Sequence, residues 1–87
     1  MKLSHILTDH EYEIQDVAKL LKEGEDFADL AKRFSRCPSG TSGGNLGDIQ
    51  KGQTVKEFEE AAFALDVGEI SKPVRSQFGY HLIRRED

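Results

Sequence analysis

Three times along this chain, apolar residues fall at i, i+3, i+4 and i+7. Ile14, Val17, Ala18 and Leu21 make the first stripe, closed by Gly24. Phe27, Leu30, Ala31 and Phe34 make the second, behind the N-cap residue Asp26. Phe58, Ala61, Ala62 and Leu65 make the third, which stops before Gly68. This spacing gathers four side chains on one face of a helix, and such a one-sided helix needs an apolar partner surface. The partner is expected to be a sheet. Residues 3–7 alternate so that His5 shares a face with Leu3 and Leu7, while residues 70–75 and 80–83 read as two closing strands. Pro73 predicts an edge position for the first of these.

Between residues 35 and 52 the periodicity vanishes, and Pro38, Gly40, Gly43, Gly44 and Gly47 dominate a loop with Cys37 near its start. A short strand over residues 46–49 is expected to interrupt it. Thr54 and Glu57 then have the spacing of a capping box, in which each side chain satisfies an exposed backbone amide of the third helix. Gly52 and Gly79 precede elements where the backbone needs a positive φ or a close approach. The order β, α, α, loop with a strand, α, β, β contains no internal repeat, no linker and no serial βαβ crossover. It predicts one α+β domain over residues 1–87, with a mixed or antiparallel sheet packed by helices.

A chain of 87 residues buries only ~60–65% of the surface its unfolded form exposes, so one core is all it can build. Hydrophobic residues at 37% and charged residues of both signs at 32% exclude disorder and fibrous repeats. The formal charge of -4 argues against nucleic acid or an anionic membrane as partner. The short basic clusters Lys32-Arg33-Arg36 and Arg84-Arg85 read as solvated surface. No window reaches the ~18 uninterrupted apolar residues of a membrane span, and residues 1–5 carry no signal-peptide core, so a cytoplasmic location is expected. The absence of a leftover long apolar stripe predicts a monomer. One cysteine, Cys37, leaves no internal disulfide and no paired CxxC zinc site.

Chemistry must then come from polar residues that the pattern turns inward: His5 on the first strand, His81 on the last, and Cys37 at the mouth of the glycine loop. Each has a structural reading, since a histidine on a half-apolar strand can be a satisfied core residue and a lone cysteine a small buried hydrophobe. A thiol hydrolase built on Cys37 and His81 lacks an evident orienting group and oxyanion donors. A metal site of His5, His81 and Cys37 lacks a fourth ligand.

The local vocabulary narrows the choice. In order along the chain come Ser4-His5-Ile6-Leu7, Phe27-Ala28-Asp29-Leu30-Ala31, Ser35-Arg36-Cys37-Pro38-Ser39, Gly43-Gly44-Asn45-Leu46-Gly47 and Gly52-Gln53. Phe58-Glu59, Ala62-Phe63-Ala64-Leu65, Val67-Gly68-Glu69-Ile70-Ser71, Pro73-Val74 and Phe78-Gly79-Tyr80-His81-Leu82-Ile83 complete the series. From Leu3 to Arg84 the chain resembles the parvulin family of peptidyl-prolyl cis/trans isomerases. The resemblance implies the parvulin (FKBP-like) fold, a four-stranded antiparallel sheet surrounded by helices, with His5 and His81 side by side on the central strands. It implies that Cys37 faces them across a substrate cleft and that His5, Cys37 and His81 are the catalytic set. It further implies that Leu46 and Phe58 hold the proline ring, and that Thr54, Ser76 and Phe78 line the rest of the substrate site. Thr54 stands where many members carry methionine, and some members carry aspartate in place of Cys37.

The resemblance also implies an isomerase of Xaa-Pro bonds in peptides and unfolded proteins, without metal or cofactor. Phosphate-directed members place a longer, basic loop after the first strand; the short acidic stretch Thr8-Asp9-His10-Glu11-Tyr12 predicts no phosphate preference. The competing expectation is a proline-peptide-binding chaperone module with little isomerase activity.

Overall fold

The computed structural model describes residues 1–87. Four strands, β1 (Lys2–Thr8), β2 (Asn45–Asp48), β3 (Val74–Ser76) and β4 (Gly79–Arg85), alternate with helices α1 (Glu11–Lys22), α2 (Phe27–Phe34) and α3 (Lys56–Phe63). The strands form one antiparallel sheet in the order β2-β1-β4-β3. The α+β expectation is met, with the first and last strands at the centre.

The alternation of β1 decides which helix goes where. Ile6 of β1 and Leu82 of β4 point to one face, where Ile14 and Val17 of α1 and Phe27, Leu30 and Ala31 of α2 bury against them. Leu3 and Ile83 point to the other, under Phe58 and Ala62 of α3 and the buried Leu65 just past it. Each fully buried aliphatic of this kind contributes about 1.5–3 kcal/mol. The two layers share one sheet, and only the α3 side leaves part of its face open.

The caps explain where the helices stop and start. Asp26 accepts a hydrogen bond from the Asp29 amide at 3.1 Å and opens α2. Gly24, at φ 98, ends the turn after α1 in a conformation that favours glycine. The capping box expected at Thr54 is not formed. The N-cap of α3 is Val55, which makes no side-chain cap bond, and the Thr54 hydroxyl has no partner. The helix starts one residue too late for the Thr54 side chain to reach its amides.

Three further differences are local. The second strand lies one residue earlier than expected, at Asn45–Asp48, because a bulge between Leu3 and Ser4 resets its pairing with β1. Pro38–Ser42 forms a 3-10 turn that no periodicity announced. Of residues 70–75, only Val74 and Arg75 lie in β3; it is an edge strand as Pro73 predicts, and Ile70 makes one isolated bridge to Arg84.

Candidate active site

His5 faces Ile83 across the β1–β4 pairing and His81 faces Leu7, so the two histidines are diagonal neighbours on the sheet face that α3 leaves partly uncovered. Their Nδ1 atoms are 3.2 Å apart and their rings stack at 22° with centroids 5.3 Å apart. Both residues are almost fully buried, at 6% and 3% exposure. The phenyl ring of Phe58 stands nearly perpendicular to both, at 5.6 and 5.4 Å. An apolar roof thus sits over two coupled imidazoles.

Above them opens a hollow of about 590 Å³, lined by His5, Leu7, Cys37, Leu46, Thr54, Phe58, Phe78 and His81 among others. That volume lies within the range of ligand-binding clefts. The β1–β2 register pairs Leu3 with Gly47 and Ser4 with Asn45, leaving Leu46 as the extra residue of the bulge. Such a residue is re-aimed out of the regular pleat, and Leu46 reaches the hollow. The Gly43–Gly44 pair, both at positive φ, presses the glycine loop onto β1, where the His5 amide donates to the Gly44 carbonyl at 2.9 Å. A Cβ at Gly44 would lie 2.5 Å from the His5 carbonyl oxygen, so only glycine permits this approach. Cys37 follows α2 on the same wall, and its Sγ accepts a hydrogen bond from the Ser39 hydroxyl at 3.2 Å. His5, His81 and Cys37 do not converge as a set of metal ligands.

Ser76 differs from its expected place. It is not on the wall of the hollow; its Oγ lies 2.6 Å from His81 Nε2 and accepts from the Phe78 amide at 3.2 Å. Ser76, His81 and His5 therefore form one hydrogen-bonded chain. If the Ser76 hydroxyl donates to Nε2, then His81 Nδ1 donates to His5 and His5 Nε2 carries a proton. If Nε2 donates to Ser76, every direction reverses and His5 Nε2 becomes an acceptor. In both arrangements His5 Nε2 is buried without a protein partner.

Burial first, and the neighbouring His81 second, push the His5 imidazole down to about 4 from 6.5. Burial also lowers His81. Both rings are therefore neutral near pH 7, and one donates to the other through Nδ1. The folded pKa of His5 lies below the unfolded one, so its contribution to stability is complete above about pH 6.5 and is lost as pH falls towards 4. On the order of 3 kcal/mol should disappear across that interval from His5 alone. Glu86, whose carboxyl is also lowered, adds its loss only below its ordinary 4.5. Urea unfolding midpoints measured from pH 7 downward should therefore already fall between pH 6.5 and 4.5, and a flat profile there would refute the neutral buried pair.

Arg36 escaped the sequence reading. It was read with Lys32 and Arg33 as solvated surface, and its side chain is 65% exposed, but α2 ends at Phe34 and Arg36 also borders the hollow. Its amide donates to the Leu7 carbonyl at 2.7 Å, and its guanidinium Nε lies 3.3 Å from Asp9. Ile49 and Val55 also border the hollow without having been named as site residues, their only sequence signal being proximity to Leu46, Thr54 and Phe58; Gln53, part of the matching segment Gly52-Gln53, borders it too.

An imidazole pair beneath an apolar hollow on this sheet defines a rotamase domain, and comparison with known proteins agrees. The family described as Rotamase, PPIC-type PPIase domain, matches residues 5–87. The foldase protein PrsA 4 of Bacillus cereus is 47% identical over the whole chain, which spans 31% of that protein. The crystal structure of a PrsA peptidylprolyl isomerase from Bacillus cereus superposes with a TM-score of 0.96 at 46% identity, covering 100% of this chain and 34% of that one. NmPin, the parvulin of Nitrosopumilus maritimus, gives a TM-score of 0.89 at 48% identity, with coverage of 100% and 95%. The chain spans about a third of the PrsA relatives and nearly all of NmPin. It belongs to the parvulin family of peptidyl-prolyl cis/trans isomerases.

Proposed function

We propose that this domain accelerates rotation about Xaa-Pro bonds in peptides and unfolded protein segments, by a non-covalent route and without preference for a phosphorylated residue before proline. The observation that carries this reading is the placement of Phe58, which closes the apolar hollow and meets both imidazoles. Nothing has to be cleaved. The amide barrier is ~18–20 kcal/mol, and each ~1.4 kcal/mol removed gives a tenfold gain.

As the bond twists, resonance is lost, the nitrogen becomes more basic and the carbonyl less charged. A slot that grips the ring and keeps water from the carbonyl therefore favours the twisted form over the planar one. Leu46 and Phe58 hold the ring, and Thr54 and Phe78 border it. His5 and His81, held by Ser76, present a hydrogen-bonding edge whose direction reverses without a change of charge. Cys37 tunes the field at the carbonyl. The apolar stripes of all three helices are taken up by the domain's own sheet, which supports a monomer.

Arg36 supports the absence of a phosphate preference. It is the one permanently charged side chain on the wall, and Asp9, from the short loop after β1, already pairs with it. A phosphorylated residue has to displace Asp9 or meet it as a like charge. Exchange spectroscopy on matched peptides with serine or phosphoserine before proline tests the whole reading. The expected result is faster cis/trans exchange of the serine peptide, and no faster turnover of the phosphorylated one. In Asp9→Asn the relative rate of the phosphopeptide should rise about two- to fivefold, the scale of an exposed ion pair. Binding shifts without faster exchange would support a peptide-binding chaperone module instead, and a wild-type preference for phosphoserine would overturn the neutral specificity.

A further inference from the structure

Between β2 and α3 the chain makes a tight turn, Gln50–Gln53, whose four residues are all exposed and belong to neither apolar core. Yet Ile49 before the turn, Gly52 and Gln53 within it, and Thr54 and Val55 after it all border the hollow. A wall with so few core contacts has to be held by hydrogen bonds.

The turn's own bond runs from the Gln53 amide to the Gln50 carbonyl at 3.2 Å, with Gly52 at φ 90 in the third place, which favours glycine. The Gln53 side chain also accepts from the Gln50 amide at 2.9 Å. These bonds shape the turn without fixing where it lies. Its entry is tied to the sheet, since the Ile49 amide donates to the Met1 carbonyl at 2.8 Å, and its exit leads into α3. Between these ends a single hydrogen bond reaches it from outside: the Gly52 amide, which the turn itself leaves unused, donates to Glu59 Oε1 at 2.7 Å. That short distance is characteristic of an amide on a carboxylate. Lys51 adds only a side-chain contact, its ammonium 5.6 Å from the Phe63 ring. Glu59 directly follows Phe58 in α3, so the helix that supplies the aromatic ring of the hollow also tethers the turn beside it.

We infer that Glu59 is a positioning residue: its carboxylate holds the Gln50–Gln53 turn to α3 and so presets the slot that grips the proline ring. The inference rests on the isomerase reading, in which the ring lies between Leu46 and Phe58. A released turn samples more conformations than a tethered one, and peptide binding has to order it again, which weakens affinity. In that reading the segment meets the ring and not the rotating carbonyl, and the ring has the same shape in the planar and twisted forms. Losing the tether therefore weakens both forms alike, raising KM while kcat is largely kept.

The test measures kcat and KM on a plain proline peptide for the wild type, Glu59→Ala, Glu59→Gln and Glu60→Ala. In Glu59→Ala KM should rise about three- to tenfold, the scale of one net hydrogen bond, with kcat within about twofold of wild type. Glu59→Gln retains an acceptor oxygen and should recover most of the loss. Glu60→Ala removes the neighbouring carboxylate, which lies 3.8 Å from Lys56 and does not bond the turn, and should behave as wild type. Hydrogen exchange at the Gly52 amide reads the tether itself and should quicken in Glu59→Ala but not in Glu60→Ala. An unchanged KM or an unchanged Gly52 exchange rate in Glu59→Ala overturns this inference alone. So does a fall in kcat and in melting temperature without a rise in KM, the signature of a purely structural role. No acceleration by the wild type overturns the isomerase reading, and this inference with it.

Discussion

Phe58→Ala is expected to remove about 3–5 kcal/mol of stability together with one to two decades of isomerase acceleration. The ring is 3% exposed and belongs to two structures at once. Below, it packs with Leu3, Ala62, Leu65 and Ile83 in the core under α3. Above, it closes the hollow and stands edge to face against His5 and His81. Truncation opens a cavity that the sheet cannot collapse into, because the imidazoles are fixed by their own bond and by Ser76. Urea unfolding reads the first effect and exchange rates on a plain proline peptide read the second. Phe58→Leu keeps most of the apolar fill without the flat ring and should fall between the two. An alanine variant that is folded yet still accelerates exchange within about twofold of wild type would show that the ring does not contact the proline, since burying it is worth far more than that factor.

Gly79→Ala is expected to be the most damaging of the conservative changes. Gly79 has φ 136, where a side chain is strained, and a Cβ there would collide with the Thr8 carbonyl oxygen and lie 3.3 Å from its carbon. Both obstacles are backbone, so β4 has to retreat from β1. His81, two residues later and paired with Leu7, retreats with it and loses its 3.2 Å contact with His5. The strain and the lost pairing together exceed about 3 kcal/mol. In a domain of this size that corresponds to a fall in Tm on the order of 15 °C. Gly52 supplies the contrast: it has φ 90 but nothing within 4 Å of the added Cβ, so only the conformational strain of about 1–2 kcal/mol applies there. Thermal melts of the two variants separate steric closure from backbone strain, and a Gly79→Ala protein as stable as Gly52→Ala would contradict the close approach at Thr8.

Much of this architecture was legible because it is written in local periodicity. The stripes of α1, α2 and α3, the N-cap at Asp26 and the turn at Gly24 depend on residues within one or two turns of each other. Alternation along β1 likewise placed His5 with Leu3 and Leu7. Where the reading failed, a second signal competed locally and lost to a distant one. Thr54 and Glu57 have capping-box spacing, yet Val55 takes the cap and Thr54 borders the hollow. Arg36 was grouped with Lys32 and Arg33 by adjacency, but helical periodicity ends at Phe34. Ser76 was read as cleft wall, whereas its hydroxyl sits behind His81.

From residue order alone came the one-sided helices, the strand alternation, the glycine positions and the parvulin vocabulary that joins His5, Cys37 and His81. The first three follow from chemistry repeated at short intervals, so no distant contact is needed to read them; the last is a resemblance to the family and not a reading of periodicity. The 3.2 Å Nδ1 contact between His5 and His81, whose proximity the resemblance implied, the bulge that frees Leu46, the exposed Asp9–Arg36 pair and the unpartnered Thr54 hydroxyl were decided in three dimensions. They depend on strand register and on where helices end, and both are set by the packing of the whole sheet rather than by any segment of it.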